Sequence, residues 1–94
     1  MGRNEFMSYS VKTTTKFEKE FKKLDRYTQR MMKAWIVKNL IGCENPRQHG
    51  KGLTADKSGL WRYRIGDYRL IAEIQDKEIT ILMLNIGHRS EIYK

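Results

Sequence analysis

Along the chain, apolar positions change from the alternation of a strand to a helical period and back again. Tyr9 and Val11 alternate with polar residues, which predicts a short first strand. Apolar residues then recur three and four positions apart in two stretches, Phe17, Phe21 and Leu24 in the first and Met31, Met32, Trp35, Ile36 and Leu40 in the second. This spacing predicts two short helices that pack as a hairpin, the second running from about Tyr27 to Leu40.

Polar residues mark where these helices begin and where the helical part ends. Threonines 13–15 offer hydroxyls to the first helix, and Thr15 stands three residues before Glu18, the spacing of a capping box. After Gly42, the stretch "GCENPRQHGKGLTADKSG" contains the only proline and four of the seven glycines. It therefore predicts one long surface loop, and loops of this length in small domains are often functional.

Alternation returns after this loop and predicts three strands, at about 60–66, 68–75 and 78–87. Gly66-Asp67 and Asp76-Lys77 are the expected two-residue turns, and glycine at the first turn position suits a type II′ hairpin. The last strand, "ITILMLNI", is apolar on both faces and should lie inside the sheet. The predicted order is β-α-α-β-β-β, an α+β domain with a helical hairpin on one face of a mainly antiparallel sheet. Residues 7–94 form this single domain, and 1–6 are interpreted as a remnant of cloning or a disordered tail.

Composition restricts the partners of such a domain. The chain has 94 residues and a net charge of +8, which favours an anionic partner, first of all a nucleic acid. Residues 1–60 hold 13 Lys/Arg against 6 Asp/Glu, whereas 61–94 hold 6 against 5. No membrane span or signal peptide is evident, and Cys43 is the only cysteine, so we expect a cytoplasmic protein without disulfides and without membrane association.

The predicted hairpin "GLWRYRIGDYRLIAEI" contains an electrostatic conflict. If Gly66-Asp67 is its turn, Arg64 lies directly opposite Arg69, and Arg62 lies on the same face. Like charges at opposed positions destabilise a sheet by up to about 1 kcal/mol. An anion held between the guanidiniums offsets that cost, because their forked donors match phosphate oxygens. A solvated arginine-rich face, or pairing with Glu73 and Asp67, remains the alternative.

The C-terminal stretch "NIGHRSEIYK" adds groups able to do proton chemistry. His88, Arg89 and Tyr93 follow the last strand within six residues. Together with the arginine hairpin they suit RNA cleavage without metal, which needs a proton acceptor, cations around the phosphorane and a proton donor. No sequence pattern of metal ligands is present, and we expect neither a metal nor another cofactor.

The hairpin motif "LWRYRIGDYRLIAEI" followed by "NIGHRSEIY" resembles the RelE family of bacterial and archaeal toxin–antitoxin systems, and the resemblance covers 7–94. It implies a ribosome-dependent endoribonuclease that enters the ribosomal A site and cuts mRNA by attack of the 2′-hydroxyl, leaving a 2′,3′-cyclic phosphate. It also implies an acidic antitoxin of the RelB or DinJ kind. Toxin and antitoxin together are then expected to bind their operator DNA.

The resemblance also assigns roles to single residues. Arg62 and Arg64 fall where the family often has two lysines, Arg69 on a phosphate clamp, Arg89 on the C-terminal arginine and Tyr93 on a tyrosine that stacks on a base or moves a proton. Arginine at 62 and 64 departs from that pattern. A guanidinium keeps its proton at neutral pH, so neither residue can serve as a general base. Proton abstraction then falls to His88, which we favour, to Tyr93 or to a ribosomal group.

Lysines outside the hairpin are predicted to bind RNA phosphates or only to keep the protein soluble. They are Lys16, Lys19, Lys22 and Lys23 in the first helix and Lys51 in the long loop. Two other functions stay open. One is a ParE-like toxin that acts on DNA gyrase, and the other is a non-catalytic module that binds nucleic acid.

Overall fold

A computed structural model of the protein describes residues 8–53 and 59–88. Within them the chain forms five strands, two α-helices and one short 3₁₀ turn. The strands are β1 (Ser10–Thr13), β2 (Lys51–Gly52), β3 (Leu60–Ile65), β4 (Tyr68–Gln75) and β5 (Thr80–His88); the helices are α1 (Thr15–Lys22) and α2 (Arg26–Asn39). Residues 1–6, interpreted above as a cloning remnant or tail, and the C-terminal residues 89–94 lie outside the described part.

The strands form a single mixed sheet in the order β1-β5-β4-β3-β2. β1 pairs with β5 in parallel, and the other three pairings are antiparallel. The apolar strand β5 therefore lies between two neighbours, which confirms that it is internal. The α+β class and the predicted order are confirmed too, with β2 as an addition that the sequence pattern did not indicate.

Both helices pack on the same face of this sheet. Met32 and Ile36 of α2 and Leu40 at its C-cap are buried, as the helical spacing predicts, and they meet a layer of side chains that point inward from the strands. On the strands that layer consists of Tyr63, Ile65, Leu70, Ala72, Ile74, Ile81, Met83 and Ile86. The next residues on β3 and β4 point to the other face, and these include all three arginines of the hairpin.

Hydrogen bonds of α1 determine how the end of β5 is held. The helix is capped by Thr14, one of the three threonines predicted to do so, whose hydroxyl oxygen accepts from the N–H of Phe17; the predicted capping box that starts at Thr15 is wrong by one residue. β1 covers only the first four residues of β5. Where this pairing ends, Thr14 donates to the carbonyl of Met83 (3.0 Å), and further along β5 the N–H of Ile86 donates to the Glu20 carboxylate (2.7 Å). Side chains of α1 thereby replace a strand along this edge.

Two predicted connections differ from the structure. The Asp76-Lys77 turn is instead a 3₁₀ turn, Asp76–Glu78, followed by Ile79 in the left-handed region (φ 49°), so Gln75 pairs with Thr80 across a longer loop. The stretch after Gly42 is not wholly a surface loop, because Pro46 is fully buried and Lys51–Gly52 pairs with β3. The predicted Gly66-Asp67 turn is confirmed, and of its two residues only Gly66 has a positive φ (62°).

Candidate functional site

Four cations lie on the sheet face that is turned away from the helices. Arg64 is directly opposite Arg69, as the sequence predicts, and β2 adds a second pair of like charges, with Lys51 directly opposite Arg62. Opposed residues on antiparallel strands have Cβ atoms about 4.5–5.5 Å apart. We call Lys51, Arg62, Arg64 and Arg69 the cation cluster. Together with Gly50, its side chains line a pocket of about 370 Å³.

Within the cation cluster, exposure to solvent differs from residue to residue. Arg69 is only 6% exposed, and one of its terminal nitrogens donates to the carbonyl oxygen of Tyr68 (3.2 Å). Arg62 is half-buried, whereas Arg64 and Lys51 are exposed. The pocket therefore combines one buried guanidinium with a half-buried one and two exposed cationic side chains. That arrangement suits a ligand with several anionic oxygens, such as a phosphodiester.

The loop before β2 is fastened to the sheet at several points. The hydroxyl of Tyr63 donates to the carbonyl of Pro46 (2.6 Å), and the indole N–H of Trp61 donates to the carbonyl of His49. Burial raises the pKa of Tyr63, so its hydroxyl stays a donor. The His49 ring also stands edge-on to Trp35 at 5.7 Å. The carbonyl and the ring of His49 therefore both take part in contacts that hold this loop to the domain.

Arg47, in the same loop, is paired with a carboxylate. Its two terminal nitrogens donate to the two oxygens of Asp76 (3.1 and 2.9 Å), and the hydroxyl of Tyr9 donates to the same carboxylate (2.7 Å). The guanidinium also lies 5.9 Å from the ring centre of Trp61. The hydrogen bonds from Arg47 and Tyr9 lower the pKa of Asp76. The hydrogen bond between Tyr9 and Asp76 also raises the pKa of Tyr9.

His88 lies away from the cation cluster. It pairs with Tyr68, whose ring it meets edge-on at 5.5 Å, and Tyr68 packs against the core. Glu20 and Lys23 of the helical side line the same cavity of about 380 Å³ as His88. The imidazole therefore lies on the helix side of the sheet, whereas the arginines of the hairpin lie on the opposite side. The two groups share only the end of the sheet.

The remaining predicted site residues separate into two sets. Arg89 and Tyr93 lie outside the described residues, so their placement relative to the cation cluster is still a prediction. Four of the predicted lysines belong to α1 or to its C-cap, are exposed on the helical side of the sheet and do not line the arginine pocket: Lys16, Lys19, Lys22 and the C-cap Lys23. Of the five lysines predicted to bind RNA, the structure brings only Lys51 to the arginines.

Sequence reasoning missed the role of β2 because two residues are too short to show alternation. The signal that could have found it is the pair of glycines flanking Lys51. Gly50 has a φ of +78°, and a Cβ there would lie 2.2 Å from the carbonyl oxygen of Arg62. Only glycine permits this approach of the loop to β3.

An apolar groove separates the two helices. It has a volume of about 280 Å³ and is edged by Lys22 and Lys33. Val37 and Ile41 on its wall are each 52% exposed, which is high for large apolar side chains. Its other apolar lining residues are Phe17, Phe21 and Ile36.

Across 8–53 and 59–88, no three His, Cys, Asp or Glu side chains come together in a way that could hold a metal ion. In that part of the chain, no helix has both the length and the apolar character needed to cross a bilayer. Burial raises the pKa of the Cys43 thiol, which is the opposite of what activates a cysteine nucleophile.

Comparisons with known proteins relate the chain to toxins of toxin–antitoxin systems. Residues 11–93 match the family model described as the ParE toxin of type II toxin–antitoxin systems. Toxin RelG of Mycobacterium tuberculosis is 32% identical over 90 residues, which cover 94% of this chain and 99% of that protein.

Solved structures show the same fold. The RelBE2 toxin–antitoxin complex from Mycobacterium tuberculosis matches with a TM-score of 0.70 and 29% identity, covering 88% of this chain and 93% of the matched chain. The isolated RelE toxin of E. coli matches with a TM-score of 0.72 and 23% identity, covering 92% of both chains.

Proposed function

Because the chain belongs to the RelE/ParE superfamily of toxins from type II toxin–antitoxin systems, we propose that it is a ribosome-dependent endoribonuclease that cuts mRNA in the ribosomal A site. The observation that carries this proposal is the cation cluster. Its four cations, among them the buried Arg69, line a single pocket, and their charge and hydrogen-bond donors match the oxygens of a phosphodiester. The protein would act in the cytoplasm, where it stops translation.

The proposed reaction needs no metal. The 2′-hydroxyl attacks the adjacent phosphate, the bond to the 5′-oxygen breaks, and a 2′,3′-cyclic phosphate remains. Arg69 holds the phosphate from the floor of the pocket, while Arg62 and Arg64 stabilise the charge that develops on the phosphorane. His88 and Tyr93 are proposed to move protons, and Arg89 to contact the phosphate. Because His88 lies on the helix side, its part in the reaction requires RNA to pass around the end of β5.

An acidic antitoxin of the RelB or DinJ kind is the proposed partner. The positive charge of the chain supports this, as does the fact that several similar toxins have been solved as complexes with RelB. The groove between α1 and α2 offers apolar side chains between lysines, which suits an acidic amphipathic segment. Operator DNA is bound only by the complex. A Val37→Lys variant tests the groove, because it should weaken antitoxin binding and leave mRNA cleavage intact.

The test of the main proposal is cleavage of mRNA on programmed ribosomes, mapped by primer extension. Wild-type protein is compared with and without ribosomes, and with Arg64→Ala, whose side chain is exposed and outside the core. Lys12→Ala is the matched control, because Lys12 is an exposed lysine on the distant edge strand β1. We expect cuts at A-site codons that require ribosomes, end in a cyclic phosphate and are much reduced only in Arg64→Ala. Absence of cleavage by folded wild-type protein contradicts the proposal.

A second function has a specific observation in its favour. The family model that matches the chain is that of ParE toxins, and a ParE-like toxin that acts on DNA gyrase is the alternative that the sequence left open. The two proposals separate in a supercoiling assay. Inhibition of gyrase by wild-type protein, with no cut in ribosome-bound mRNA, favours the ParE-like function. If the protein binds RNA but changes neither reaction, it is a non-catalytic module.

A further inference from the structure

Lys51 differs from the other lysines predicted to bind RNA. The four in α1 lie on the helical side of the sheet, where they can meet ribosomal RNA only at a distance from the arginines. Lys51 instead stands in β2, directly opposite Arg62, and lines the arginine pocket. It therefore belongs to the proposed reaction site rather than to a general docking surface.

The backbone at Lys51 is held firmly. On one side of it, Gly50 approaches β3 so closely that a Cβ would lie 2.2 Å from the carbonyl oxygen of Arg62. On the other side, Gly52 pairs with Trp61, whose indole N–H also bonds the carbonyl of His49. The loop is thus fastened before and after Lys51. A fixed backbone lets a flexible side chain reach a defined position at the rim of the pocket.

The chemistry of the pocket gives Lys51 a particular value. Guanidinium groups bind phosphate well, but they keep their protons at neutral pH. A lysine ammonium is also charged at neutral pH, yet it can give a proton to an oxygen that becomes strongly basic as its bond to phosphorus breaks. Among the described residues that line the pocket, Lys51 is the one side chain able to do this.

We propose that Lys51 is the general acid of the cleavage reaction, an inference that rests on the proposed endoribonuclease function. The 2′-oxygen forms a bond to phosphorus, and its proton passes to the proton acceptor of the proposed function and from there to water. The bond from phosphorus to the 5′-oxygen breaks, and its electron pair stays on that oxygen, which takes a proton from the Lys51 ammonium. Water then returns the proton to the lysine amine. The three arginines hold the phosphate and stay charged throughout.

The experiment compares two mRNAs on programmed ribosomes under single-turnover conditions. One has an ordinary phosphodiester in the A-site codon, and the other has sulfur in place of the bridging 5′-oxygen. A thiolate leaves without being protonated, so cleavage of the sulfur substrate needs no general acid. The variants are Lys51→Gln, which removes the charge and the proton, and Lys51→Arg, which keeps the charge without a usable proton. Lys12→Gln, on the same face of the sheet but at the distant edge strand β1, is the control.

We expect both Lys51 variants to cleave the oxygen substrate about 100-fold more slowly than wild type, and the sulfur substrate within about 5-fold of wild type. Lys12→Gln should match wild type on both. Equal losses on the two substrates, or full activity of Lys51→Arg on the oxygen substrate, overturn the assignment of Lys51. If wild-type protein cleaves neither substrate, the endoribonuclease proposal itself fails, and the assignment falls with it.

Discussion

The surroundings of Arg47 and those of the cation cluster are built in opposite ways. Arg47 has a carboxylate at both of its terminal nitrogens, a tyrosine on that carboxylate and an aromatic ring beneath its guanidinium. The cation cluster instead sets lysine opposite arginine and arginine opposite arginine. The first arrangement stabilises the fold, because each charge meets its complement. The second brings like charges together around a pocket where an anionic ligand can bind, so we interpret the contrast as one between charges that serve folding and charges that serve function.

The largest expected effect is on the rate of mRNA cleavage, which should differ between variants of the cation cluster and of Arg47. Arg69→Gln should lower the rate of mRNA cleavage by about 100-fold or more, because it removes a preorganised donor from the developing charge. Arg47→Gln should leave the rate within about 2-fold when measured below its melting temperature. Single-turnover cleavage on ribosomes measures both. Equal losses in the two variants would show that the division between the groups is wrong.

We expect the converse effect on the free energy of unfolding, to which the hydrogen bonds of Asp76 with Arg47 and Tyr9 contribute. Asp76→Ala removes the partner of both Arg47 and Tyr9 and should lower the free energy of unfolding by about 1–2 kcal/mol, a modest value because Arg47 and Asp76 are partly exposed. Urea unfolding monitored by circular dichroism measures this. Tyr9→Phe is the matched variant, since it loses one of the hydrogen bonds and should cost less. An unchanged urea midpoint in Asp76→Ala contradicts the structural role of the network.

The same network should respond to acid. Hydrogen bonds from Arg47 and Tyr9 hold the pKa of Asp76 below its usual value, so the unfolded chain takes up this proton at a higher pH than the folded one. The stability that Asp76 contributes is therefore fully present above about pH 4 and is lost as the pH falls further. The difference in unfolding free energy between wild type and Asp76→Asn should be constant from pH 5 to 8 and shrink below pH 4. A difference that grows on acidification would contradict this sign.

How well the sequence predicts each part of the structure depends on the length of the residue pattern that signals it. The hairpin of β3 and β4 was predictable to the residue, because a glycine turn fixes the register and Arg64 must then face Arg69. β2 was not, since a two-residue strand has no period and depends on tertiary contacts to Trp61 and His49. The side on which His88 lies was also missed. It depends on the register of β4 with β5, which contains an irregularity at Ile71 and Ala72 that no local signal marks.

The smallest expected effect tests the repulsion itself. Arg64→Gln should raise the free energy of unfolding by roughly 0.2–1 kcal/mol at low salt, because it removes one of two directly opposed like charges. Arg64→Lys keeps the charge and should give no such gain. In about 1 M salt, where charges are screened within about 3 Å, the difference between Arg64→Gln and wild type should shrink. Inorganic phosphate should stabilise wild type more than Arg64→Gln, since an anion that binds only the folded cluster favours the folded state. A stability loss in Arg64→Gln at low salt would mean that Arg64 serves the fold after all, and the contrast with Arg47 would then disappear.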